Sequence, residues 1–224
     1  MADTIVNVSE PVIWDDVMKY GNPKSSKQSA KNIPVQNIRG NVDLRLKTPP
    51  MFTWGASCFQ GDGGGVDKYS LPIQFNAADY STAQQTVFLE NMLALDTKIF
   101  NDIFEHSRDW VNKTYKSTDV LEEIYSASLK YPKDQDTQEP DKSKPPSMRV
   151  KLPQWDGVWK FDVFDEDGTP LYIAGKTEDA SPLDFLVKGV NVSCILQSTG
   201  IWFAGGKFSV TWKLSQVLIK RPTN

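Results

Sequence analysis

Histidine is nearly absent from this chain: His106 is the only one in 224 residues. A single imidazole cannot build a histidine triad or a histidine-rich zinc set. His106 falls in a helix-patterned region, where a surface or packing role is the plain reading. Cysteine is scarce too. Cys58 and Cys194 supply no disulfide framework, and both are expected as buried small hydrophobes in a reducing compartment. No apolar run approaches the roughly 18 residues of a membrane span, so a soluble chain is expected. Residues 1–10 lack a basic start followed by an apolar stretch, so no secretory signal is visible and an intracellular location is expected. The Asn-x-Ser/Thr matches at Asn7, Asn112 and Asn191 then carry no glycan.

Enzymatic motifs are missing as well. The glycine run at 61–65 lacks the Gly-Lys-Ser/Thr ending of a phosphate-cradling loop. Asp165-Glu166-Asp167-Gly168 resembles part of a calcium loop, but Val163 stands where the first ligand should be and Ala174 where the last should be. Asp156, Asp162 and Glu178 show no spacing that singles them out as a nuclease set. No enzyme, cofactor or metal is expected.

Aromatic residues are plentiful: seven Trp, eleven Phe and seven Tyr. They suffice to fill a core and argue against wholesale disorder. The net charge is −3, with a sequence pI near 5.3, which by itself disfavours a phosphate-binding partner. The charges are unevenly placed, however. Residues 17–50 carry seven basic residues against Asp43 alone, or +6, and residues 185–224 carry five with no acid, or +5. Residues 79–147 carry eight basic and thirteen acidic residues, or −5. Screening over about 8 Å makes the local patch matter more than the sum, although for any one lysine a solvated surface is the simpler explanation.

Periodicity divides the chain in the same way. Residues 1–32 are polar and loop-like, an expected flexible arm ahead of one domain over 33–224. Val42-Asp43-Leu44-Arg45-Leu46 alternates as a half-buried strand does, and Thr48-Pro49-Pro50 ends it. Strands are expected over 51–59 and 68–75. Phe88, Met92, Leu95, Ile99 and Ile103 then form one face of a long helix starting near Ser81, and a second helix is expected over 119–129. Together they make a helical insertion at about 79–130, with Trp110 and Tyr115 packing it onto the sheet and a polar loop following over 131–147. From Arg149 the pattern is β again, including strands over 159–163, 171–173 and 187–196 and the hairpin around Ala204-Gly205-Gly206-Lys207. The expected class is mainly β with a helical insertion, a barrel or sandwich with helices on one side.

The β regions set aromatic residues beside cations: Trp159-Lys160, Trp202-Phe203 near Lys207-Phe208, and Trp212-Lys213. Flat rings stack on unpaired bases while cations follow phosphates, although large aromatics also fill small barrels. Trp212 is in phase with Val210 and Leu214 and is assigned to the core, leaving Lys213 outward. Trp202 and Phe203 are consecutive, so one of them faces out. Trp54 and Phe59 have opposite parity and should not share a face. The candidate phosphate contacts are Arg45, Lys47, Lys160, Lys188, Lys207 and Lys213. The candidate stacking platforms are Trp54, Phe59, Trp202 and Phe203, with Tyr172 a weaker one.

The run Gly200-Ile201-Trp202-Phe203-Ala204-Gly205-Gly206-Lys207-Phe208-Ser209-Val210-Thr211-Trp212-Lys213-Leu214-Ser215-Gln216-Val217, with Leu186-Val187-Lys188-Gly189 upstream, resembles the C-terminal signature of the single-stranded DNA-binding proteins of nucleocytoplasmic large DNA viruses. Those proteins are related to the short-tailed coliphage type. The resemblance is most specific over 186–217. It implies an oligonucleotide/oligosaccharide-binding (OB) barrel with helices inserted between its strands. It also implies a role in coating unwound DNA during viral replication, recombination or repair. The partners implied are single-stranded DNA and viral replication proteins, with no membrane and with a homo-oligomer left open. A scaffold or protein-interaction module on the same barrel is the alternative. The coliphage-type acidic tail has no counterpart, since the chain ends Ile219-Lys220-Arg221-Pro222-Thr223-Asn224, and the acidic stretch 134–141 is either a substitute or an inert loop.

Overall fold

The computed structural model describes residues 4–26, 30–60 and 67–221. The glycine run at 61–65 and the last three residues lie outside the described residues. Five strands carry the architecture: β1 (Met51–Thr53), β2 (Lys68–Gln74), β3 (Ser147–Leu152), β4 (Asn191–Ala204) and β5 (Lys207–Lys220). Around the ring the order is β1-β2-β3-β5-β4 and back to β1. The β3–β5 pairing is parallel and the other four are antiparallel. This is a closed OB-like barrel. Of the two architectures left open by the sequence, the barrel is the one adopted.

Alternation fills the interior. Leu71 and Ile73 of β2, Met148 and Val150 of β3, Leu196 and Ile201 of β4, and Phe208 and Trp212 of β5 are all buried. Trp212 is 1% exposed, as its phase with Val210 and Leu214 requires, and its indole N–H donates to Ser128 Oγ at 3.0 Å. Removing a ring of this size from a core costs about 3–5 kcal/mol.

Helix α1 (Ala83–Val111) packs beside the barrel, and its Gln85 Nε2 donates to the Pro50 carbonyl just before β1. It starts at Thr82, whose hydroxyl accepts from Gln85 N while the Gln85 side chain accepts from Thr82 N, so two orphan donors are satisfied reciprocally. It ends at Asn112 in the left-handed conformation, φ 57. The stripe predicted from spacing is buried, and Phe88 packs on Phe75 just beyond β2 at 5.0 Å. Asp96 is buried in the same helix and accepts from Ser128 N and Leu129 N. Burial raises its pKa against the pull of those hydrogen bonds. Helix α2 (Thr118–Ile124) is shorter than the expected 119–129, because the chain turns into a strand, Tyr125–Ser126, that pairs with β5 at Phe208 and Ser209. Tyr115 packs on Phe208, while Trp110 packs on Tyr20.

The segment read as an arm lies on the barrel and on α1 over its described residues. Ile5–Asn7 pairs with Arg45–Lys47, and Val8, Trp14 and Met18 are buried. Asn91 of α1 fastens this segment: its side chain accepts from Val12 N and donates to the Val8 and Glu10 carbonyls. The expected strand over 187–196 begins later, at Asn191, because Leu186 to Gly189 turn back against Gly55.

One irregularity sets which side chains face out. In β4, Ser198 pairs with Trp212 and Ile201 with Val210, so Thr199 and Gly200 together oppose Thr211. This bulge reverses the parity of everything after it. Gly200 has φ +88, and a Cβ there would lie 2.6 Å from Asn32 Nδ2 and 2.7 Å from the Ile33 carbonyl oxygen. Gly200→Ala is expected to cost roughly 3 kcal/mol in denaturant unfolding. Gly168→Ala, at φ +85 with nothing within 4 Å, should cost about 1–2 kcal/mol. Equal losses would show that the bulge tolerates a side chain.

Candidate nucleic-acid interface

Directly paired residues share a face of a sheet, so the strand registers assemble the outer surface. One row runs Ser57–Ser70–Lys151–Lys213–Gln197–Arg45 across six neighbouring strands. Arg149 lies two residues before Lys151 on the same face, opposite Pro72, and Lys68 lies two residues before Ser70, opposite Phe59. Lys213 therefore belongs to a basic strip with Lys68, Arg149 and Lys151. Among the described residues none of these four cations forms a salt bridge; Lys98, Lys144 and Lys220 are the lysines that do. Like charges placed directly opposite destabilise a sheet by a few tenths of a kcal/mol, up to about 1. The Lys151 ammonium is held below its ordinary range by local desolvation and by the charge of Lys68.

Two aromatic platforms flank the strip. Trp202 lies on the outer face, opposite Ser209. Its indole N–H donates to Thr199 Oγ1 at 3.3 Å, and Thr199 is in turn hydrogen-bonded to Thr211. On the other flank Trp54 is 55% exposed, with Phe52 edge-on at 4.9 Å and Lys188 Nζ 4.9 Å from its ring centroid. The close approach of the Trp54 and Lys188 segments depends on Gly55, at φ +89, where a Cβ would lie 2.9 Å from Lys188 N. Ala56 N donates to the Leu186 carbonyl at 2.8 Å and Gly189 N to the Thr53 carbonyl at 3.1 Å, locking the clasp. Beside it opens a cavity of about 320 Å³ lined by Trp54, Cys58, Tyr69, Leu186, Val187 and Lys188.

No protein-family model matches the chain, and no curated protein matches it. Similar solved structures exist. The single-stranded DNA-binding protein of bacteriophage Enc34, solved in complex with single-stranded DNA, is 13% identical over 91% of this chain and 96% of its own, with a TM-score of 0.48. A C-terminal truncation of the same phage protein gives 14% identity, 92% and 97% coverage and a TM-score of 0.47. The single-stranded DNA-binding protein gp2.5 of bacteriophage T7 gives 9% identity, 82% and 89% coverage and a TM-score of 0.47.

The residues singled out from sequence separate into groups. Arg45 and Lys213 lie in the strip's row, Lys188 lies over Trp54, and Lys207 is exposed at the β4–β5 hairpin. Lys47 is exposed but sits opposite Ile195, beside a separate 200 Å³ cavity with Phe164 and Leu218. Lys160 is exposed beyond the end of β3. Phe59 is 66% exposed, so it and Trp54 are both outward despite their opposite parity. The strand expected over 51–59 is broken at Gly55, and alternation does not carry across the break. Two platforms are corrected. Phe203 turns to the core side, packed on Phe208 at 4.7 Å and beneath Lys113, and Tyr172 is 4% exposed inside the core. Sequence reasoning missed Lys68, Arg149 and Lys151, although Met148-Arg149-Val150-Lys151-Leu152 alternates as plainly as the segment around Leu44.

The cysteines also diverge. Cys194 is buried, and burial pushes its thiol up to about 12. Cys58 is exposed, against expectation, because Ser57–Phe59 pairs only with β2 and presents its open side to solvent. A thiol reagent at neutral pH should therefore modify Cys58 alone in the folded protein and both cysteines after unfolding. Rapid labelling of Cys194 before unfolding would contradict this core packing.

Proposed function

We propose that the chain is a non-enzymatic single-stranded DNA-binding protein. The observation that carries the reading is the strip Lys68–Arg149–Lys151–Lys213, free of carboxylate partners among the described residues and bordered by Trp54 and Trp202. Lys151 and Lys213 lie directly opposite one another, an arrangement that destabilises a sheet unless an anion neutralises it, and phosphates are anions at regular spacing. The exposed Trp54 indole and the half-buried Trp202 indole can gain from unpaired bases, whose faces are free, at about 1–3 kcal/mol per stacked base. In a duplex those faces are covered by neighbouring bases. Cations following the backbone and rings under the bases give affinity with little sequence preference.

The finer role rests on the resemblance of residues 186–217. On that basis the chain coats unwound DNA of a large DNA virus during replication, recombination or repair, inside the host cell and alongside viral replication proteins. A single barrel of this kind covers roughly 4–16 nucleotides.

Fluorescence anisotropy with a dT 30-mer at low salt tests the reading. Binding should exceed that to duplex of equal length and weaken as salt rises. Trp54→Ala should weaken it roughly 5- to 150-fold. Lys151→Ala should reduce the log–log salt slope by about 0.7. No binding to the 30-mer, together with a stable protein complex, would favour the interaction-module alternative.

A further inference from the structure

Beyond the last barrel position of β3 the chain makes a small hairpin that the proposed function does not use. Gln154 pairs with Trp159 and Trp155 with Val158. Asp156 and Gly157 form the turn with φ 49 and 76, the positive pair that a tight right-twisted hairpin requires. Gln154 Nε2 donates to the Gly157 carbonyl at 3.3 Å, and Lys160 N donates to the Pro153 carbonyl at 2.9 Å, extending the pairing by one step. Faces alternate along a hairpin. Trp159 therefore points to one side, where it is buried and packs edge-on against Tyr69 at 4.8 Å. Trp155, Val158 and Lys160 share the other side.

On that free side Trp155 is 72% exposed. The hairpin that carries it is anchored to the barrel by the buried Trp159 on its other face. It follows β3, whose outward residues include Arg149 and Lys151, after Pro153, which belongs to neither strand. Successive outward positions are about 6.6 Å apart, a step that an extended nucleotide chain can follow.

We infer that Trp155 and Lys160 form an additional subsite for one unpaired base and its phosphate, extending the interface past the end of β3. The inference rests on the single-stranded DNA reading of the barrel. Charge favours a nucleotide chain on this side. Lys160 shares the face with Trp155, and Lys151 follows beyond Pro153. The acids Glu178 and Asp179 lie in a cleft lined both by Trp159 and by Val158 of the Trp155 face, and Asp156 sits at the turn. These acids repel phosphates, so the phosphate contact is assigned to Lys160 and, beyond Pro153, to Lys151.

The test uses the full chain and a dT 30-mer carrying photoreactive halogenated deoxyuridines. Irradiation should yield an adduct on the peptide containing Trp155. Trp155→Ala should weaken binding roughly 5- to 150-fold, Trp155→Phe should keep most of the affinity, and neither should move the thermal midpoint. If the unaltered chain binds DNA but Trp155→Ala binds equally well and no adduct forms at Trp155, the subsite is overturned while the barrel reading stands. If the unaltered chain does not bind, the barrel reading itself has failed. Loss of self-association or of a protein complex in Trp155→Ala, with DNA affinity intact, would make the hairpin a protein-docking element and overturn the subsite.

Discussion

The antiparallel pairing of β4 with β5, fourteen residues on each side, closes the barrel and fixes which side chains meet the solvent. Its two irregularities matter as much as its length. Register shifts between Ile195 and Leu196 and again between Ser198 and Ile201, and each shift changes which residues alternate inward. Without the second shift, the even-numbered inward series of Val192, Cys194 and Leu196 would run on to Trp202. With it, Ile201 fills the core and Trp202 reaches the outer surface. The backbone can make this correction because Gly200 lies against Asn32 and Ile33 with no room for a side chain. The outward orientation of Trp202 thus depends on a missing methyl group.

The same closure resolves the acidic net charge. Arg45 comes from the first basic segment, Lys213 from the second, and Lys151 from a strand in neither, yet the registers bring them into one row. The acidic insertion meets β2 at the end where Phe75 packs on Phe88. Lys68 lies at the opposite end of that strand, about 20 Å away for a strand of seven residues. That exceeds the screening distance at physiological salt. Lys68, at the far end of the strip, is therefore screened from the acidic insertion although the whole molecule is slightly negative.

Local periodicity made much of this legible. The alternation of Phe208 through Leu214 identified the inward face of β5, including Trp212, and the spacing of Phe88 through Ile103 identified the core face of α1. Arg149 and Lys151 were legible by the same rule. Other features were not, for physical reasons. Trp202 and Phe203 exchange faces at a bulge that depends on Asn32, far away in sequence. Tyr172 lies in a three-residue strand with a register shift beside it, too short to define a phase. The packing of residues 4–26 depends on Asn91, about eighty positions away, a contact with no local signature.

The central claim is that the outer faces of β2, β3 and β5 hold the nucleic acid, and lysine footprinting tests it most directly. An amine-reactive probe is applied with and without a saturating dT 30-mer, and modified residues are read by peptide mass. The account predicts that Lys68, Lys151 and Lys213 are protected by DNA while Lys98 and Lys144, on or beside the helical insertion, stay as reactive as before. Protection of Lys98 and Lys144 with the strip unchanged would place the nucleic acid elsewhere and contradict it.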